Sequence, residues 1–149
     1  SNDEKKYDSV IIMDADQQHS SEDLVKFFDA LNAGESFVLV NRMFNHKGMP
    51  LLRVIVNKVM SFVLSYRCKQ VIPDTQCGYR AISLDLLKKL KLQSSNYEID
   101  SELILKAALL NYKIFSIPID CIYQKEKSSI NPIIDTFRFF KFIFKSFYF

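Results

Sequence analysis

Cysteine, histidine and strong charge are all scarce in this 149-residue chain, and each scarcity removes a class of function. Three widely spaced cysteines, Cys68, Cys77 and Cys121, are an odd number and point to neither a disulfide framework nor a zinc cluster. Reduced thiols in a cytoplasmic setting are the simpler expectation. The two histidines, His19 and His46, have no metal-like spacing. A net charge of +3 is too small to announce nucleic acid, which asks for a dense Lys/Arg face. Ser1 to Asp8 is polar and lacks the apolar run of a secretory signal, so export is not expected. The longest apolar stretch, Met49 to Tyr66, is interrupted by Arg53, Asn57 and Lys58. It falls short of the roughly 20 clean apolar residues that span a bilayer.

What is there is the balance of a folded domain, 48% apolar residues with 25% charged, in a length that suits one domain. Val10-Ile11-Ile12-Met13 reads as a buried parallel strand that delivers Asp14 and Asp16 to the carboxyl edge of a sheet. Ser20, followed by Asp23, Leu24 and Val25, reads as the cap of a helix that runs to Asn32 and is ended by Gly34. Phe37 to Val40 reads as a second strand, and a polar loop through Gly48 leads to a long helix beginning near Pro50. On that buried helix Arg53, Asn57, Ser61 and Ser65 recur as a polar stripe. A loop from Asp74 to Gly78, a short strand around Tyr79 to Ile82, a helix opening at Ser83 and another over Glu98 to Leu110 follow. A strand over Lys113 to Ile119 and a final helix from Ile133 complete the alternation, which makes the class α/β.

Two clusters have the residue types that chemistry needs. Asp14 and Asp16, one residue apart at a strand end, have the oxygens to grip a hard divalent cation, with the Gln18 amide to complete the shell. A solvated turn after a strand explains the same pattern equally well. Asp74 and Arg80, flanking Thr75-Gln76-Cys77-Gly78-Tyr79, can pair a base with a phosphate clamp, or can form a structural ion pair around a tight turn. Arg42 follows the second strand, where a guanidinium can fork onto phosphate oxygens or stand in an exposed loop. Glu98, Asp100 and Glu102 open a helix, where acidic residues usually serve the helix dipole. In the tail, seven of 13 phenylalanines fall between Thr136 and Phe149, interleaved with Arg138, Lys141 and Lys145. Such a helix suits a membrane interface, or a core with a cationic stripe toward water.

Taken in order, the segments Asp14-Ala15-Asp16-Gln17-Gln18-His19, Asn41-Arg42, Asp74 to Arg80, Tyr97-Glu98-Ile99-Asp100, Ile117-Pro118-Ile119, Lys127 to Asn131 and Asp135 to Arg138 resemble family 2 glycosyltransferases. The closer likeness is to the branch that includes dolichyl-phosphate mannosyltransferases and polyprenyl-phosphate glucosyltransferases. The resemblance implies a partial GT-A, Rossmann-like mixed sheet flanked by helices over residues 1–131, followed by an amphipathic membrane-interface helix over residues 132–149. It implies that Asp14, Asp16 and Gln18 hold Mg²⁺ or Mn²⁺ against the donor diphosphate. Arg42, Arg80 and Arg138, with Ser128 and Ser129, would lie near the anionic groups of the donor, a UDP- or GDP-sugar, or of the lipid-phosphate acceptor. Asp74 would take a supporting or base role. The implied reaction is a single displacement with inversion onto a polyprenyl phosphate, as in cell-envelope glycan synthesis, carried out by a peripheral protein on the cytoplasmic face of the membrane.

Only 13 residues precede Asp14, so the first strands and nucleotide-base pocket of that family have no counterpart here. The expectation is a fragment, weak or inactive by itself as an enzyme, whose Val10 strand offers an open sheet edge for self-association. A non-catalytic remnant that docks onto membrane or a partner is the competing expectation. A phosphohydrolase with Asp14 as nucleophile lacks the further lysine and carboxylates such chemistry needs.

Overall fold

The computed structural model describes residues 8–14, 20–94, 98–120 and 132–146, and in the last segment it describes side chains from Thr136 onward. Four strands, β1 (Ser9–Ile12), β2 (Phe37–Asn41), β3 (Arg80–Ser83) and β4 (Phe115–Pro118), form one mixed sheet in the order β1-β3-β2-β4. β3 runs antiparallel to both β1 and β2, whereas β4 runs parallel to β2. Five helices join them: α1 (Leu24–Asn32), α2 (Leu51–Cys68), α3 (Leu84–Lys89), α4 (Glu98–Leu109) and α5 (Pro132–Lys145).

The sheet is covered on both faces, and β2 shows why its sequence is a run of apolar residues rather than an alternation. Phe37 and Leu39 point into a core built with Met60, Leu64, Ile82 and Leu103. Val38 and Val40 point the other way, into a core with Phe27, Tyr79, Ala81 and Ile117. A strand buried on both faces needs apolar side chains at every position. On the α1 side, the Phe27 and Tyr79 rings meet with centroids 4.5 Å apart, tilted by 42°. On the other side α5 contributes Phe139, Phe142 and Ile143. Cys68 and Cys77 are buried free thiols, and burial pushes the Cys68 thiol up to about 11.

Local signals set several boundaries. The Ser20 hydroxyl accepts from Glu22 N (3.1 Å), and Ser83 accepts from Leu86 N (3.3 Å) to open α3. Gly34, at φ +93°, ends α1 in a conformation that favours glycine. α2 ends on Lys69 at φ +53°.

Two expectations are corrected. β1 is not a buried parallel strand: it is an antiparallel edge strand whose side chains alternate between partial burial and exposure, because β3 turns back between β1 and β2. The stripe on α2 faces inward at its middle: Asn57 and Ser61 are buried, while Leu52, Ile55, Val59 and Phe62 are exposed. Among the described residues, no helix is long and apolar enough to cross a membrane.

Leu64, fully buried on α2, should be a stability anchor for the larger core. Leu64→Ala is expected to cost about 2–5 kcal/mol in urea unfolding, and an unchanged midpoint would contradict this placement.

Candidate functional site

Asp74 is the most heavily hydrogen-bonded side chain described, and the loop that carries it is pinned from two directions. Its carboxylate accepts from Arg42 Nε (2.7 Å), Arg42 Nη2 (3.0 Å) and Arg42 N (3.1 Å) at the end of β2. It also accepts from Asn57 Nδ2 (2.8 Å) on α2 and from Gln76 N (3.1 Å) in its own loop. Behind Asn57 lies Ser61, whose hydroxyl donates to Asn57 Oδ1 (2.9 Å) and accepts from Thr75 N (3.1 Å). With its one proton given to Asn57, Ser61 accepts at its oxygen from the Thr75 hydroxyl (3.1 Å). The inward stripe of α2 therefore exists to satisfy a buried carboxylate, which would be costly without partners.

Burial by itself pushes the Asp74 carboxyl up. The Arg42 guanidinium, with hydrogen bonds from Arg42 and Asn57, outweighs that and holds it below the ordinary carboxylate range. Asp74 is thus a fixed anion with its lone pairs committed. Of the two roles expected for it, supporting residue or base, this geometry serves the supporting one.

The second cluster gathers at the end of β1. Asp14 is exposed, and its carboxylate lies over Gly78: a Cβ built on Gly78 would come within 2.7 Å of Asp14 Cγ. Glycine is needed there for space. Arg80, in the middle of the sheet opposite Ile12 and Leu39, is buried. It folds back to donate from Nη2 to Cys77 O (2.7 Å) and from Nε to Gly78 O (3.2 Å), and its Nη2 pairs with Asp100 Oδ1 at 3.0 Å. Its Nη1 is a buried donor without a partner among the described residues. The expected pairing of Asp74 with Arg80 is not formed. Arg80 turns back onto its own loop and toward α4, while Asp74 is taken by Arg42.

Asp100 opens α4 beside this cluster. Burial raises its pKa, the Arg80 charge lowers it, and the nearby Asp14 charge raises it again, for a net upward shift. Two residues on, buried Glu102 accepts from Gln93 N (2.9 Å), Ser94 N (2.7 Å) and Lys106 Nζ (2.7 Å), which pins the first turns of α4. The sequence assigns Asp100 only to the helix dipole, and Asn57 and Ser61 only to a stripe. The one sequence signal for Asp100 is its place in Tyr97-Glu98-Ile99-Asp100. Arg138 stands exposed on α5. Asp16, Gln18, Ser128 and Ser129 lie outside the described residues.

Removing the Asp74 carboxylate strands the donors of Arg42 and Asn57. Asp74→Ala is expected to cost about 3–5 kcal/mol in urea unfolding at neutral pH. Because the folded pKa is depressed, the stabilisation is complete above the ordinary carboxylate pKa and is lost as pH falls through the lowered one. The gap between wild type and Asp74→Asn should therefore narrow with acidification, and a constant gap would contradict this role.

No family model matches the chain. It is 32% identical over 142 residues to an uncharacterized protein of Methanocaldococcus jannaschii, covering 91% of this chain and 58% of that one. It is 32% identical over 124 residues to the UDP-N-acetylglucosamine--dolichyl-phosphate N-acetylglucosaminyltransferase of Methanococcus voltae, covering 79% of this chain and 49% of the relative. To the dolichyl-phosphate hexose transferase of Haloferax volcanii it is 28% identical over 126 residues, covering 83% and 54%. The chain thus spans about half the length of the relatives it matches. By sequence it is related to the dolichyl- and polyprenyl-phosphate sugar transferases of glycosyltransferase family 2.

Proposed function

We propose that this chain carries the metal- and acceptor-binding part of a GT-A sugar transferase that moves a sugar from a nucleoside diphosphate onto a polyprenyl phosphate at a membrane surface. The observation that carries the reading is the cluster at the end of β1. An exposed carboxylate, Asp14, lies over Gly78, whose carbonyl accepts from the buried Arg80 that pairs with Asp100 at 3.0 Å. Among the described residues no three ligating side chains gather at one point, so an ion at the exposed Asp14 carboxylate would draw its further ligands from Asp16 and Gln18. Hard oxygen donors suit Mg²⁺ or Mn²⁺, and Asp14 would hold the ion together with Asp16 and Gln18. When bound, the ion supplies charge neutralisation for a departing diphosphate.

The chain's own residues do the rest. Gly78 leaves room for the Asp14 carboxylate, and Arg80, fixed by Cys77 and Gly78 carbonyls and by Asp100, holds positive charge under the site. Arg42, whose Nε and Nη2 are bound to Asp74 at the end of β2, is assigned to phosphate oxygens of donor or acceptor through its remaining donors. Ser128, Ser129 and Arg138 are assigned to the same anionic groups. An acceptor phosphate is already largely ionised at neutral pH, so its oxygen attacks the anomeric carbon as the bond to the nucleoside diphosphate breaks. No proton acceptor is required, in keeping with an Asp74 held as an anion. One displacement inverts the anomeric centre.

Electron paramagnetic resonance of Mn²⁺ titrated with the chain and UDP or GDP tests the site. Wild type should bind the ion, and Asp14→Asn should weaken binding at least about tenfold, since even outer-shell partners are worth that much. Gly78→Ala should weaken it too, with the fold retained by circular dichroism. Equal Mn²⁺ binding by wild type and Asp14→Asn would overturn the reading.

A further inference from the structure

Three buried polar atoms on one face of the sheet, Arg80 Nη1, Asn41 Oδ1 and Ser116 Oγ, have no hydrogen-bond partner among the described residues. The strand register fixes their common face. Arg80 on β3 and Ser116 on β4 both lie opposite Leu39 of β2, and Asn41 follows Leu39 by two residues. Cross-strand partners and alternate residues share a face, here the one on which Leu39 and Ile82 enter the larger core. An unpaired polar atom in such a place costs stability, most of all on a guanidinium only 1% exposed.

These atoms border the Asp14 cluster. Val40 N donates to Tyr79 O (3.3 Å), so the pairing of β2 with β3 continues past its last strand residue. Continued by one more residue, it sets Gly78 opposite Asn41, and the β1 register continued likewise sets Gly78 opposite Asp14. Since the Asp14 carboxylate lies over Gly78, Asn41 is the next side chain across the sheet from it. Asn41 precedes the short helical turn Arg42–Phe44 without capping it through its side chain. The amide thus has no task in holding the fold.

The missing partner is defined by what these atoms can do. Arg80 Nη1 only donates, Asn41 Oδ1 only accepts, and the Ser116 hydroxyl does both. A phosphate would satisfy the guanidinium alone and a cation the amide oxygen alone, whereas a hydroxyl group suits all three. β3 and β4 stand on either side of β2, roughly 10 Å apart at two strand spacings, which is further than a single water bridges. A ligand with several hydroxyl groups fits the set. We infer that Asn41 is a sugar-selecting residue: its Oδ1 accepts from a hydroxyl of the sugar attached to the diphosphate at Asp14, and Arg80 Nη1 donates to an oxygen of the same sugar. The Ser116 hydroxyl, one row deeper, completes the polar lining. This assignment rests on the sugar-transfer reading of the site.

Asn41→Leu keeps a side chain of similar size, favours the strand and removes the amide. Without ligand the variant should unfold at the same urea concentration as wild type or a higher one, because an apolar group replaces an unpaired acceptor. In calorimetric titrations with Mn²⁺ present, its affinity for UDP-glucose or GDP-mannose should fall about tenfold, the worth of one buried hydrogen bond, while its affinity for UDP or GDP stays that of wild type. A lowered urea midpoint would overturn the proposal, since Asn41 would then serve the fold through a buried water. Equal loss of affinity for sugar nucleotide and parent diphosphate, or loss for neither, would overturn it as well and leave the Mn²⁺ site standing. A wild-type chain that binds neither Mn²⁺ nor UDP and GDP would sink the sugar-transfer reading, and this inference with it.

Discussion

The buried carboxylate of Asp74 is the constraint around which the rest of this chain is arranged. It ties the end of β2, through Arg42, to the middle of α2, through Asn57, and to the loop that leads into β3. A charge so deeply buried is tolerated only with donors on every side. That demand explains why α2 turns its amide and hydroxyl inward. It also fixes where the loop ends, so that Gly78 arrives under Asp14 and Arg80 enters the sheet beside Asp100.

The inward polar stripe has a second consequence. On the inner face of α2 Asn57 and Ser61 stand among Val54, Met60, Leu64 and Cys68, and a second set of apolar side chains, Leu52, Ile55, Val59 and Phe62 among them, lies outside. Stability and surface chemistry are thus coupled in one element: the same rotation that feeds Asp74 its hydrogen bonds presents Phe62 and Tyr66 outward.

Much of the fold is legible in the residues. The alternation of apolar runs and helical spacing places all four strands and the main helices, and Ser20, Ser83 and Gly34 mark their ends for local reasons of capping and backbone conformation. Strand direction is not legible. Val10 to Met13 has the composition of a buried parallel strand, yet β1 lies antiparallel at the edge, because pairing depends on where β3 returns. The stripe of Asn57 and Ser61 is visible, but its direction is not, since periodicity gives the faces of a helix and not which one meets the core. Asp74 and Arg80 stand out together in one short motif, and the structure gives each a different partner, Arg42 and Asp100. Those partners lie far away along the chain and can be found only in three dimensions.

The central claim is that the Asp14 carboxylate, held over Gly78, clasps a divalent cation against a nucleotide diphosphate. Anomalous scattering from crystals grown with manganese and a nucleoside diphosphate addresses it directly. The account predicts a manganese peak at coordination distance from Asp14 on the side facing Asp100. Density showing Asp14 turned away from the nucleotide, with the ion absent or bound elsewhere, would contradict it.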